Sequence, residues 1–246
     1  MAQTDKAPSL AKNTTQVKGA NQAKDMEEIK TQTLNLSKGQ VLTLVLPVVN
    51  PEGLAVVKEY SSKAFPLGKQ FGLQNLFNLK VKHSLISEIK PPVFSLFSWP
   101  DKSSENAFLA HPDWSEIKAM RPEGWHHLNI FNTELSEDVS MTFSSEYYYT
   151  AVIAWFDDKH PDDYQTYLRN IEPALNDVGG RFILKLPTPA FETHSNTYGQ
   201  PGQITFVQWP DANGFKNLQK HPGYQKHTHL FNSGLRKFEF YGLVVN

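Results

Sequence analysis

The side chain in this chain of 246 residues best suited to chemistry is His227. Tyr224, His227 and Phe231 recur at helical spacing and share a face. Burial there would disfavour the charged imidazole and leave a neutral ring suited to general-base work or haem ligation. The plainer reading is a core histidine satisfied by a carbonyl. Tyr164 and Tyr167 offer hydroxyls from a second amphipathic helix, so they join His227 as acid–base candidates. Trp155, Trp209 and Tyr224 could wall a pocket, with Arg181 and His194 meeting the polar end of a substrate. Each also has an ordinary use: aromatic packing for the rings, a surface ion pair for Arg181 and a loop position for His194. His227 and His229 resemble a metal pair, but residues two apart on a helix point about 200° apart and cannot share an ion.

The elements that must position these residues are written twice. Phe94-Ser95-Leu96-Phe97-Ser98-Trp99-Pro100-Asp101 is followed by a helical run and His111-Pro112-Asp113-Trp114. Ile204-Thr205-Phe206-Val207-Gln208-Trp209-Pro210-Asp211 is followed by a similar run and His221-Pro222-Gly223-Tyr224. The offset is the same at Trp (209 − 99 = 110) and at His (221 − 111 = 110). Trp-Pro-Asp reads as the end of a strand and the cap of a helix, since Asp accepts free N–H groups and Pro forbids further pairing. His111, His160 and His221 all precede a proline, which points to backbone capping rather than catalysis. The same offset places His227 opposite Ile117, a titratable group where the other copy has hydrocarbon.

Each copy reads strand-helix-strand-strand-helix-strand. In the first, strands are expected at Val41–Leu46, Leu76–Val81, Val93–Ser98 and Leu128–Leu135. Asn50-Pro51-Glu52 starts a helix that Pro66 should kink or end. In the second, strands are expected at Thr150–Phe156, Arg181–Leu186, Gln203–Gln208 and Leu235–Val245. His160-Pro161-Asp162-Asp163 repeats the helix start, and Gly179-Gly180 stop the helix. Thr33–Leu36 adds an edge strand. The fold class is α+β: two ferredoxin-like repeats, residues 33–140 and 141–246, packed sheet to sheet because a lone sheet would expose one apolar face. Residues 1–32 carry no aromatic side chain and read as a disordered tail.

His160-Pro161-Asp162-Asp163-Tyr164, Pro173, Gly179-Gly180-Arg181-Phe182, Trp209-Pro210-Asp211 and His221-Pro222-Gly223-Tyr224 resemble the dimeric α/β-barrel superfamily. Within it they are most similar to an uncharacterised branch related to antibiotic-biosynthesis-monooxygenase-like proteins. The first copy has Pro66 and Gly72 but no Gly-Gly-Arg-Phe. The resemblance implies an intramolecular barrel with a pocket between helices and sheet in each half. Its relatives include cofactor-free monooxygenases, isomerases, cyclases and haem-binding enzymes. It supplies no catalytic motif for this chain, so chemistry rests on the residues.

Composition narrows the classes. With no cysteine there are no disulfides, no thiolate catalysis and no thiolate-bound metal. A formal charge of −1 recommends neither nucleic acid nor an anionic membrane. No apolar run is long enough to span a bilayer. The expectation is a soluble protein, cytoplasmic or exported in a mature form, an internal pseudo-dimer with further self-association left open. Its leading function is cofactor-free acid–base turnover of a small molecule, as an isomerase, cyclase, lyase or monooxygenase, in a pocket of the second repeat. The alternatives are a non-catalytic ligand-binding or stress-response module, in which neither half holds an open polar-tipped cavity, and a haem protein using a lone histidine.

Overall fold

The computed structural model describes residues 28–195 and 198–245. The expected tail thus lies outside the described residues as far as residue 27, while Thr31 and Gln32 already belong to a strand. The strands are β1 (Thr31–Leu36), β2 (Val41–Val49), β3 (Gln74–Ile86), β4 (Val93–Trp99), β5 (Trp125–Glu134), β6 (Val139–Ser144), β7 (Tyr148–Phe156), β8 (Arg181–Pro187), β9 (Ala190–Glu192), β10 (Gln203–Trp209) and β11 (Leu235–Val245). The helices are α1 (Leu54–Gln70), α2 (Lys102–Leu109), α3 (Trp114–Ala119), α4 (Arg121–Gly124), α5 (Asp163–Asp177), α6 (Gly214–Lys220) and α7 (Pro222–Gly234).

Local chemistry sets the helix starts. The Asn50 side chain accepts from Glu52 N–H at 3.2 Å ahead of a 3-10 turn that leads into α1. Asp101 caps α2 through Ser104 N–H at 2.7 Å, and His221 Nδ1 accepts from Gly223 N–H at 3.0 Å to open α7. Two expectations need correction. Pro66 does not end α1, which runs on to Gln70: an interior proline loses its bond to the carbonyl four residues back and crowds it, a strain that the remaining turn tolerates. His160 does not open α5 either: the helix starts at Asp163, and Asp162 makes no side-chain capping bond.

The protein is α+β, with every strand pairing antiparallel. Nine strands form one sheet in the order β8-β10-β7-β11-β3-β4-β2-β5-β9. Within it, β5-β2-β4-β3 and β11-β7-β10-β8 both have the fourth-first-third-second order of a split βαβ unit. They join where β11 pairs with β3. β1 does not extend this sheet; it pairs with β6 in a separate two-stranded one, and the expected division at 140/141 falls inside β6. The three-residue β9, unforeseen in the sequence, follows β8 in the chain yet pairs with Ile130, Phe131 and Asn132 of β5.

Alternation along the strands sorts two kinds of core. Leu42, Leu44, Phe94, Leu96 and Phe131 of the first set meet Tyr149, Ile153, Trp155, Phe206 and Tyr241 of the second in one cluster. The opposite faces are covered by helices, with Trp99, Phe108, Trp114 and Ile117 on one side and Tyr164, Tyr167, Leu168, Ile171 and Trp209 on the other.

The duplicated Trp-Pro-Asp has the same physical role in both places. Trp99 Nε1 donates to Thr43 Oγ1 at 3.2 Å, and Trp209 Nε1 donates to Thr150 Oγ1 at 2.8 Å. Each neighbouring proline packs on a glycine in the left-handed region: Pro100 on Gly72 (φ 84°) and Pro210 on Gly179 (φ 76°). Gly179→Ala should therefore lose the backbone term of about 1–2 kcal/mol and a packing term besides. Gly39→Ala, also left-handed (φ 86°) but with nothing within 4 Å of its missing Cβ, should lose the backbone term alone. Urea midpoints of the two variants will separate these terms, with the larger drop in Gly179→Ala.

Candidate functional site

A cavity of about 310 Å³ lies between α1, α2 and α3 and the outer face of β2, β4 and β5. Its counterpart under α5, α6 and α7 measures about 200 Å³. Side-chain size on the covering helix accounts for the direction of this difference. The two prolines and the two glycines of the long helices align at one offset (173 − 66 = 107 and 179 − 72 = 107). That register sets Val57, Ser61 and Ala64 of α1 against Tyr164, Leu168 and Ile171 of α5. The smaller three leave room beneath α1.

The larger cavity is chiefly apolar and aromatic, walled by Phe97, Trp99, Phe108, Trp114 and Trp125, and it carries a few placed polar groups. Arg121, the first residue of α4, is buried with its side chain 7% exposed. Its Nε and Nη2 donate to Tyr60 Oη at 3.1 and 3.0 Å, and its Nη1 donates to Glu192 Oε1 at 2.7 Å. The guanidinium also lies 4.9 Å from the centre of the Trp114 ring. Burial raises the Tyr60 phenol above its ordinary range, against the lowering pull of Arg121. Tyr60 thus keeps its proton, and with Arg121 donating to its oxygen that proton is available to a ligand.

Three further groups complete the lining. Trp114 is buried, and its indole N–H has no hydrogen-bond partner among the described residues. Thr43 Oγ1 donates to Asn132 Oδ1 at 2.5 Å, leaving the Asn132 amide hydrogens to other acceptors. Glu105, buried on α2, is paired with Lys102 at 2.5 Å.

The residues singled out in the sequence fall into two groups. Tyr164, Tyr167, Trp209 and Tyr224 all line the smaller cavity. Trp155, Arg181, His194 and His227 line neither of the two helix-covered cavities. The indole of Trp155 joins the shared core and donates to the Gly199 carbonyl at 2.9 Å. Arg181 donates to Gln208 Oε1 at 2.9 Å rather than to a cavity group. His194 Nε2 meets the Trp125 carbonyl at 3.0 Å, beside the larger cavity but outside it. The buried imidazole expected at His227 is not found: the ring is half-buried, with Nδ1 3.4 Å from Asn170 Nδ2. Tyr224, Thr228 and Phe231 carry the inward face of α7, and His227 is about 100° of helix rotation from Thr228.

Arg121, Tyr60, Trp114, Trp125 and Glu192 were missed. The internal comparison could have found two of the set. The offset of 110 puts Arg121 opposite Phe231, a cation where the other copy is aromatic, and the offset of 107 puts Tyr60 opposite Tyr167. Haem binding through a lone histidine finds no support in these cavities, because among the described residues no histidine lines any of them.

The solved structures that are similar to the chain include the following two. An anthrone oxidase-like protein is 12% identical with a TM-score of 0.52, over 86% of this chain and 95% of that one. A mutant chlorite dismutase from Candidatus Nitrospira defluvii is 12% identical with a TM-score of 0.48, over 85% of this chain and 93% of that one. At such identity the first likeness speaks for the fold alone. No family model and no curated protein matches the sequence. Among the described residues no helix is long and apolar enough to cross a membrane.

Burial raises the phenols of Tyr164 and Tyr167 well above the ordinary value of 10.0. Unfolded tyrosines ionise at that ordinary value, so above it the unfolded chain binds fewer protons and stability falls as pH rises. In an alkaline titration the tyrosinate absorbance of these two residues should appear only together with loss of the far-ultraviolet circular dichroism. In Tyr164→Phe/Tyr167→Phe that cooperative step should shrink. Absorbance from either residue in the still-folded protein near pH 10, the ordinary tyrosine value, would contradict the geometry.

Proposed function

We propose that this protein binds a small, largely apolar molecule in the cavity beneath α1 and turns it over by proton-transfer chemistry without a bound cofactor. The observation that carries this reading is the unpartnered indole N–H of Trp114 beside the Arg121–Tyr60 pair, in a cavity of about 310 Å³. A buried donor without a partner is costly, and a ligand oxygen would relieve that cost. The volume suits a small organic molecule.

The chemistry follows from the donors. Tyr60 donates its proton toward a ligand oxygen, and negative charge growing on that oxygen faces the Arg121 guanidinium in a water-poor site. Glu105 also lines the cavity and is its candidate proton acceptor. His227 and the two buried tyrosines of α5, the groups favoured by sequence, give way to Tyr60 and Arg121 in this reading. The expected second-repeat site becomes the partly filled sister of the working one.

The finer architecture belongs to the same proposal. Residues 33–140 and 141–246 act as two repeats of one intramolecular barrel. One seam is the β11–β3 pairing; at the other, β9 lies against β5. A binding role without turnover is the second reading, favoured because Glu105 and Glu192 are already ion-paired and no histidine among the described residues lines the cavity.

The neutral fluorophore N-phenylnaphthylamine tests the cavity directly. It should brighten with the native protein and with His227→Ala, and fail to brighten with Val57→Tyr/Ala64→Ile, which gives α1 the bulk of α5. Equal brightening in the filled variant would overturn the assignment. For turnover, Tyr60→Phe should slow deuterium exchange beside the carbonyl of a bound aryl ketone by about 100- to 10,000-fold. An absence of exchange in the native protein leaves the binding reading standing.

A further inference from the structure

Glu192 has an unusual origin. Among the described lining residues of the larger cavity it alone comes from beyond β5; the others lie between Thr43 and Asn132. It is the last residue of β9, which pairs with β5 at three positions, and the residues after it stay on β5 through Thr193 Oγ1 to Asn129 Oδ1 at 2.8 Å and His194 Nε2 to the Trp125 carbonyl at 3.0 Å. The single Oε1 of Glu192 accepts from two cations, Lys118 Nζ at 2.5 Å and Arg121 Nη1 at 2.7 Å.

Of the charged groups that line the cavity, Glu105 is paired with Lys102, while Glu192 is the carboxylate of Arg121 and is shared with the half-exposed Lys118. Arg121 is buried, and a buried guanidinium stripped of its carboxylate is strongly unfavourable. Without a ligand, the chain must supply that carboxylate itself.

We propose that Glu192 is an internal competitor, holding on Arg121 the place of a ligand's own anionic oxygen, and that the cavity selects small apolar molecules with one negative charge. This rests on the cavity reading given above. The incoming anion would take over the Arg121 Nη1 bond and add the Trp114 N–H, which Glu192 leaves unpartnered. Glu192, with a side chain already 26% exposed, would turn outward with Lys118, whose side chain is 50% exposed. The arriving ligand therefore replaces one charge-assisted bond and gains a further donor. A neutral ligand would leave Glu192 in place and meet only the apolar walls.

A matched pair of fluorophores separates the possibilities. N-phenylnaphthylamine is neutral, and anilinonaphthalene sulfonate is the same ring system with one negative charge. Both are titrated into the full-length protein, into Glu192→Gln and into Glu192→Asp, a shorter carboxylate. Far-ultraviolet circular dichroism and urea midpoints check the fold of each variant. Glu192→Gln should bind the anionic probe about tenfold more tightly, Glu192→Asp should shift it in the same direction, and the neutral probe should be unchanged. Weaker binding of the anionic probe by Glu192→Gln would overturn the proposal and make Glu192 a positioning group for Arg121. Equal shifts for both probes would overturn it too, as a change in wall packing. Failure of the native protein to bind the neutral probe would instead remove the cavity reading itself.

Discussion

Strands with two apolar faces govern this molecule. β10 shows it most plainly, since all seven of its residues are buried. Helices α5 to α7 cover one face, and nothing within the second set of strands covers the other. The equivalent face of the first set does, together with Leu34 and Leu36 of β1 and Phe143 of β6, and the shared cluster that includes Leu44, Phe94, Phe131, Tyr149, Phe206 and Tyr241 is the result. Each fully buried ring or branched chain there contributes about 1.5–3 kcal/mol relative to exposure, so dividing the cluster would be prohibitive. The β11–β3 pairing, the single nine-stranded sheet and the location of both cavities on the helix side all follow from that shared interior.

Much of the fold was legible because it rests on local chemistry. Trp99 and Trp209 announced strand ends, Asp101 announced a cap, and Gly72 and Gly179 announced helix exits, all at fixed offsets. What escaped had no periodic signal. β9 is three residues long and pairs with a strand in the other half of the chain. β6 is short and half-exposed and pairs across a separate sheet. The site was harder still. Glu192 and Arg121 lie 71 residues apart in sequence, and no spacing rule links them. Arg121 was detectable by setting one copy against the other, but a histidine opposite hydrocarbon drew attention away from a cation opposite an aromatic ring. The small residues Val57, Ser61 and Ala64 were the clearest sign of an opening, because a cavity is made by what a helix face lacks.

The long segment that carries Glu192 is not held by its three strand pairs alone. Lys237 Nζ lies 2.9 Å from Glu88 Oε1, 3.6 Å from Glu239 Oε1 and 3.2 Å from the centre of the Tyr198 ring. It makes these approaches as an ion pair and a cation over a ring, without hydrogen-bond alignment. Arg236 donates to the Tyr198 carbonyl at 3.0 Å, and Trp155 donates to Gly199. Burial raises the Glu239 carboxyl above its ordinary range, against the pull of Lys237 and of the Tyr241 hydroxyl, which donates to it at 2.7 Å. The segment is thus anchored at one end by the second set of strands, while its other end reaches the first.

The indoles are unevenly distributed. Of the five tryptophans, Trp99, Trp114 and Trp125 line the cavity beneath α1, whereas Trp155 sits in the shared interior and Trp209 in the sister half. Ultraviolet emission from the unlabelled protein is therefore weighted toward that cavity, and the molecule carries a built-in optical reporter of occupancy. A newcomer among three of its five emitters announces itself by colour and intensity, with no dye and whatever its chemical identity.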